Sequence, residues 1–408
     1  MTPKEDIPSL RQRLADFSAQ FEETLRPGVP KRRPPGGGSV SDLVQGLRDL
    51  FTQGVTREGM RDLIRRDARE TFDFYTRGID FKSFQPLPWF KRYPAIAWRL
   101  FVALAYKLSP PRRIAFAVAY ILGLVGWIQL VLYITRWGPP SEDSGALWLF
   151  LSFGIIFLLL LMELRDKLDL KGDLEIAREI QFGLVPQGPF QHNGTSIHCY
   201  MRPANTVGGD YYDIMQLTET RVGIVVGDVA GKGMPAALMM ALLQGSLRTL
   251  ITAGHRGAEL MTKLNEYLCA NIPENKLVTL FYGELDTKAG ELRYVNAGHN
   301  APVLIRGGLN LERLPATSLV MGIDRNTPFE ERQVELRSGD RLLLFTDGVT
   351  EAFNLKDEEY GEARLTDFLQ RNAALSSDEL IKAIVGDVLK FCGAARPGDD
   401  MTLMAITR

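Results

Sequence analysis

The chain has 408 residues, of which 45% are hydrophobic and 24% charged, enough for two or three globular domains. A formal net charge of -1 gives no overall basic field and speaks against a nucleic-acid partner. Three widely separated cysteines, Cys199, Cys269 and Cys392, argue against a disulfide framework and have no metal-ligand spacing, which fits a reducing compartment.

Residues 1–88 are polar and mostly helix-compatible, broken by Pro27, Pro30 and the run Pro34-Pro35-Gly36-Gly37-Gly38, which reads as a flexible joint between two helical pieces. Between 41 and 75, Leu43, Leu47, Leu50, Phe51, Met60, Leu63 and Ile64 recur at roughly helical spacing. A small helical bundle, a partner-binding helix pair and a solvated arm all fit that pattern. Residues 89–113 mix Trp89, Phe90, Trp98 and Phe101 with Lys91, Arg92 and Arg99, as a juxtamembrane helix in the headgroup region does.

Two uncharged apolar runs follow, 114–135 and 145–162. They predict two transmembrane helices over 114–162 with a short extracytoplasmic connector; a buried helical hairpin is the alternative. Lys107, Arg112 and Arg113 precede the first run, and Arg165, Lys167 and Lys171 follow the second, whereas the connector carries Glu142 and Asp143. This bias predicts a multi-pass protein of the cytoplasmic membrane with the N-terminus and the C-terminal domain in the cytoplasm. No cleavable signal peptide is visible at Met1, so the first span would serve as its own insertion signal.

Residues 163–187 form a predicted helical linker, with Leu170, Leu174, Ala177, Ile180 and Leu184 as its apolar positions and Pro186 as its stop. Such a helix could join two copies as a homodimer stalk or pack on the domain that follows; Asp173 on the seam leaves both open. From 188 to 408 the pattern changes. Strand-like runs cover 221–226, 277–285, 292–295, 302–305, 341–345 and 401–406, and helices fit 234–253, 258–270, 362–372 and 377–391. Strands without regular βαβ alternation predict an α+β sandwich of antiparallel sheets.

Within that region four acidic signatures stand beside glycines at the ends of apolar runs: Gly208-Gly209-Asp210, Gly227-Asp228-Val229, Thr346-Asp347-Gly348 and Gly398-Asp399-Asp400. Any single aspartate of this kind is most often a cap or an Asx-turn. Four in series predict one carboxylate-lined site, because crowded carboxylates repel and a hard divalent cation offsets the repulsion. The runs Val207-Gly-Gly-Asp-Tyr-Tyr-Asp213, Val226-Gly-Asp-Val-Ala-Gly-Lys-Gly-Met-Pro-Ala-Ala237, Asn296-Ala-Gly-His-Asn-Ala-Pro302, Leu344-Phe-Thr-Asp-Gly-Val-Thr-Glu351 and Gly398-Asp-Asp-Met-Thr-Leu403 together resemble the PPM-type metal-dependent serine/threonine phosphatases. Their SpoIIE/RsbU-like branch is the nearest in pattern, and the helix Glu175-Ile-Ala-Arg-Glu-Ile-Gln is similar to the linker helix of that branch.

The resemblance implies a PPM-type α-β-β-α sandwich over 188–408 and two divalent cations, Mn²⁺ or Mg²⁺. It implies that Asp228 bridges both ions, that the carbonyl of Val229 holds one, and that Asp347 and Asp399 complete the other. Asp210 would stand beside the pair as a direct or water-mediated ligand, and Asp400, where many relatives have asparagine, would orient Asp399 or the sheet end. The implied reaction is hydrolysis of phosphoserine or phosphothreonine on a partner protein, with phosphorylated anti-sigma-factor antagonists as the substrate class and control through the N-terminal region and linker. Independent chemistry points the same way, since oxygen donors and few histidines suit Mn²⁺ or Mg²⁺ rather than zinc. Thiolate phosphatase chemistry is closed, because the positions six after each cysteine hold Asn205, Asn275 and Gly398 instead of arginine.

Arg202, Lys232 and His299 are candidate substrate-binding residues. Each has a plainer reading as well, a solvated surface cation for the first two and a buttressing turn residue for His299. The tract after Gly231 lacks phosphate-loop spacing and reads as a helix start. Two other functions compete with protein dephosphorylation: a catalytically silent membrane scaffold that binds phosphoproteins, and a phosphatase for small phosphorylated metabolites.

Overall fold

The computed structural model describes residues 88–135, 144–273, 276–307, 310–395 and 398–408. The expectations for 1–87 and for the connector 136–143 lie outside the described residues. The chain divides into two compact units, 1–159 and 160–408.

In the first unit, α1 (Trp89–Lys107) and α2 (Pro110–Thr135) are followed by the opening turns of α3 (Ser144–Leu184). Small residues let α2 and α3 approach closely: Ser152 donates from Oγ to the Ala119 carbonyl at 2.7 Å, and a Cβ on Gly126 would press at 2.9 Å on the Gly145 carbonyl and on Leu149. By length and composition three described helices could cross a membrane: Pro110–Thr135, Gly145–Leu184 and Met234–Thr252. The third buries Met240, Leu243, Leu247 and Ile251 in the core of the second unit, so its apolarity has another explanation. The sequence divides 145–187 into a span and a separate linker. In the structure α3 is one uninterrupted helix, with exposed i,i+4 ion pairs Arg165–Asp169 and Lys171–Glu175 beyond its apolar run and no proline before Pro186.

The second unit is a sandwich of two antiparallel sheets. One holds β1 (Phe190–His192), β2 (Thr195–Arg202), β7 (Val303–Arg306), β8 (Asn310–Arg313), β10 (Arg341–Phe345) and β11 (Met401–Thr407) in the order β1-β2-β11-β10-β7-β8. The other holds β3 (Tyr211–Gln216), β4 (Arg221–Val229), β5 (Val278–Asp286), β6 (Glu291–Ala297) and β9 (Arg332–Glu335) in the order β3-β4-β5-β6-β9. Helices α4 (Met234–Thr252) and α5 (Gly257–Asn271) cover the second sheet; after the single turn α6 (Asp347–Thr350), α8 (Ser377–Cys392) packs on β2 and β11 of the first, with α7 (Gly361–Arg371) in the same core. This is the expected α-β-β-α layering.

Strand alternation shows why β10 reads as an unbroken apolar run. Leu342 and Leu344 enter the core between the sheets, while Leu343 and Phe345 face the core under α7 and α8. Arg248 of α4 grips the fully buried Asp213 of β3 with two hydrogen bonds of 2.7 Å, and the Tyr211 hydroxyl donates to the same carboxylate at 2.7 Å. A paired, hydrogen-bonded carboxylate can be buried there without an orphaned charge.

Helix α8 starts with a capping box between Ser376 and Glu379, and its exposed interior position Gly386 has open space where a Cβ would stand. Gly386→Ala is therefore expected to stabilise the protein by about 1 kcal/mol, read as a raised urea midpoint with an unchanged slope.

Candidate active site

The acids sit at strand ends at one edge of the sandwich. Asp228 lies at the end of β4 and Asp210 immediately precedes β3, with Tyr211 opposite Gly227. Asp347 follows β10, and Asp399 and Asp400 precede β11, with Phe345 opposite Leu403. Each sheet thus supplies two neighbouring strand ends.

Asp210 joins the two pairs. Its Oδ2 accepts from Thr346 Oγ at 2.8 Å and from Thr402 Oγ at 2.6 Å, and Thr346 Oγ accepts in turn from the Thr402 amide at 2.9 Å. Asp400 is used differently from its neighbour Asp399. Its two carboxylate oxygens accept from the amides of Ala204 at 2.7 Å and Gly209 at 2.6 Å, pinning the loop that leads to Asp210. The loop passes so close that a Cβ on Gly208 would collide with the Asp400 carboxylate, and one on Gly348 would collide with the Asp400 backbone carbonyl. These glycines are required by close approach; neither has positive φ.

Electrostatics follow from burial and crowding. Burial, then Asp347, Asp399 and Asp400, push the Asp228 carboxyl up to about 7. Burial, then Asp399 and Glu351, push Asp347 up to about 6, with the Gly348 amide and Lys232 working against the rise. Asp210 is raised well above the usual carboxylate range by burial first and then by Asp228 and Asp400. Lys232 makes an ion pair with Asp399 Oδ2 at 2.7 Å. Among the described residues, no three histidine, cysteine or carboxylate side chains stand in a geometry that could hold a metal ion. The donors still fit one by chemistry: they are hard oxygens whose ionised forms repel one another until a cation intervenes. Asp228, Asp347, Asp399 and the Val229 carbonyl are the groups that could hold it.

The three candidate substrate contacts part company. Lys232 is at the acids. Arg202 ends β2 opposite Met401, and its positive charge acts on the Tyr200 hydroxyl. His299 is turned inward and buried, with Nδ1 3.0 Å from Thr279 Oγ, the residue paired with Asp228 across β4 and β5. Burial pushes its imidazole down to about 4, so it is neutral at physiological pH. Its burial and its contact with Thr279 fit the plainer reading of a buttressing turn residue.

Several supporting residues escape the sequence reading. Gln181 of α3 is buried and pairs with one backbone unit, donating to the Gly208 carbonyl at 2.7 Å and accepting from the Gly208 amide at 3.2 Å. Gln244 of α4 donates to the Leu184 carbonyl at 3.3 Å, and Tyr212 donates to that of Pro186 at 3.0 Å. The end of α3 is thereby hydrogen bonded to the Asp210 loop, to α4 and to β3. Only the spacing of Gln181 from Leu174 and Ala177 on one helical face hints at this role.

Metal-free protein should gain stability as pH falls from about 8 to about 6.5. Asp228 and Asp347 hold protons more tightly folded than unfolded, so their contribution is present at low pH and lost as pH rises through about 6 to 7. Below about 6.5 His299 opposes the gain, because its folded pKa near 4 lies under its unfolded value. Thermal unfolding in chelator across this range should show a rise of a few degrees that goes on below it, because two carboxyls outweigh one imidazole, and saturating Mn²⁺ should reverse the slope because protons compete for the same carboxylates.

Sandwich layering and four acid-bearing strand ends define a PPM-type phosphatase domain, the class of metal-dependent protein serine/threonine phosphatases. Residues 218–408 match the family model of stage II sporulation protein E (SpoIIE), and the chain is similar to proteins of the SpoIIE/RsbU-like branch of that class. The chain is 28% identical over 241 residues to phosphoserine phosphatase RsbU of Bacillus subtilis, covering 59% of this chain and 71% of that protein. It is 31% identical over 188 residues to phosphoserine phosphatase RsbP of the same organism, covering 45% of this chain and 46% of RsbP, less than half its length. The SiaA-PP2C domain of Pseudomonas aeruginosa shares the fold, with a TM-score of 0.54 at 20% identity over 60% of this chain and 98% of that one.

Proposed function

We propose that the chain is a membrane-anchored phosphatase that removes phosphate from serine or threonine of a partner protein in a partner-switching pathway, with a phosphorylated anti-sigma-factor antagonist as substrate. The observation that carries this reading is the convergence of Asp228, Asp347 and Asp399 at one end of the sandwich, where the charges of Asp347 and Asp399 raise the proton affinity of Asp228 and that of Asp399 raises the proton affinity of Asp347. Two divalent cations, Mn²⁺ or Mg²⁺, would be held by Asp228, the Val229 carbonyl, Asp347 and Asp399. When bound they would supply an acidified water and neutralise the phosphate.

The chain's own residues prepare that site. Asp210, through Thr346 and Thr402, fixes the ends of β10 and β11; Asp400 fixes the loop before β3. Preorganised acids need not rearrange when substrate arrives. The apolar helices α2 and α3 support anchoring in the cytoplasmic membrane, and the basic flanks support a cytoplasmic domain. The domain division remains as the sequence suggests: 1–88, 89–113, 114–162, 163–187 and 188–408. Ile176 and Ile180 stay exposed on α3, which supports pairing of two copies along this helix. The names of RsbU and RsbP support phosphoserine as the target.

The test is phosphate release by the full chain in detergent, with Mn²⁺ or Mg²⁺, from a phosphoserine-bearing antagonist protein and from free phosphoserine at equal concentration. Release from the protein substrate that stops with chelator is expected. Equal turnover of free phosphoserine would favour the metabolite phosphatase instead, and metal binding without any turnover would favour the scaffold.

A further inference from the structure

Lys232 lies in the turn Gly231-Lys232-Gly233 between β4 and α4, where both glycines have positive φ, 118° and 72°. Lys276 braces the start of this turn by donating from Nζ to the Ala230 carbonyl at 2.9 Å, and a Cβ on Gly231 would press on the same Nζ at 2.5 Å. The turn thus carries Lys232 across the acidic cluster. Its ammonium pairs with Asp399 Oδ2 at 2.7 Å and also donates to the Gly398 carbonyl. Among the described residues it is the one cation in an ion pair with any of Asp210, Asp228, Asp347, Asp399 and Asp400.

We propose that Lys232 is the resident counter-ion of the acidic cluster, holding Asp399 until a divalent cation displaces it, and so sets the affinity of the site for metal. The inference rests on the reading of the acids as a metal site and adds to it a residue outside the ligand set. Two facts support it. Asp399 engages the ammonium through Oδ2 while its Oδ1 accepts from the Asp400 amide at 2.9 Å, and the charges of Asp347 and Asp400 also act on Lys232. An ammonium and a dication on one carboxylate repel, so binding of the second loosens the first. The side chain of Lys232 is half exposed and can swing away into water.

The experiment is calorimetric titration of the full chain in detergent with Mn²⁺, together with thermal unfolding in chelator, for wild type, Lys232→Gln, Lys232→Arg and Asp228→Asn. Lys232→Gln is expected to bind Mn²⁺ about fivefold more tightly, the upper end for a partly exposed ion pair. It should also unfold at a lower temperature when metal-free, while Lys232→Arg stays near wild type in both measurements. Unchanged or weaker Mn²⁺ binding by Lys232→Gln, with binding lost in Asp228→Asn, overturns the role of Lys232 and leaves the metal site standing. Wild-type binding by Asp228→Asn overturns both.

Discussion

Asp228→Asn should lose phosphatase activity by about 10³-fold or more while remaining folded. Asparagine keeps the shape of the side chain, so packing at the end of β4 is preserved and only the charge disappears. Asp228 is the acid whose proton affinity Asp347, Asp399 and Asp400 jointly raise, which places it within electrostatic reach of all three. Removing its charge relieves their mutual repulsion in the metal-free protein. The variant is therefore expected to be inactive yet at least as stable in chelator as wild type. A general folding defect would lower both quantities together. Phosphate release from a phosphoserine protein, paired with unfolding midpoints in chelator, checks the combination; activity within tenfold of wild type would remove Asp228 from the chemistry.

Gly348→Ala is expected to be the most damaging small substitution at the site. Its Cβ would collide with the backbone carbonyl of Asp400, and a backbone atom in a sheet end cannot rotate away as a side-chain tip can. The turn holding Asp347 and the turn holding Asp399 must separate, breaking the contacts of Thr346 with Thr402 and Asp210. Overpacking of this kind costs about 3 kcal/mol, which would lower Tm by about 10 °C. Because the separation also spreads the acids, Mn²⁺ affinity should fall with stability. Calorimetry and thermal unfolding on the same samples test this, and a variant with wild-type affinity for Mn²⁺ would show that the two turns tolerate separation.

The catalytic layer was legible in the sequence because its acids sit next to glycines in short ordered motifs, and strands such as β4, β5, β10 and β11 carry apolar runs. Less legible were β2 and β3. In β2, Thr195, His198 and Arg202 interrupt the apolar pattern; in β3, Asp213 stands in mid-strand, tolerable only through Arg248 and Tyr211. Arg248 is distant in sequence, and Tyr211, two residues away on the same strand face, is a partner only once the strand has formed. Asp210 was found as an acid but not as the acceptor for two threonine hydroxyls, a role that depends on the neighbouring sheet. Gln181 was invisible for the same reason: a glutamine on a helix is ordinary until Gly208 is brought against it.

Strand β11 is the last element of its sheet to be synthesised, yet it lies between β2 and β10. While translation has not passed it, those two strands lack their common neighbour and expose pairing edges, and Asp399 has no anchored position. A ribosome-bound chain would thus hold an unfinished catalytic domain, incapable of premature dephosphorylation and dependent on its final strand to close.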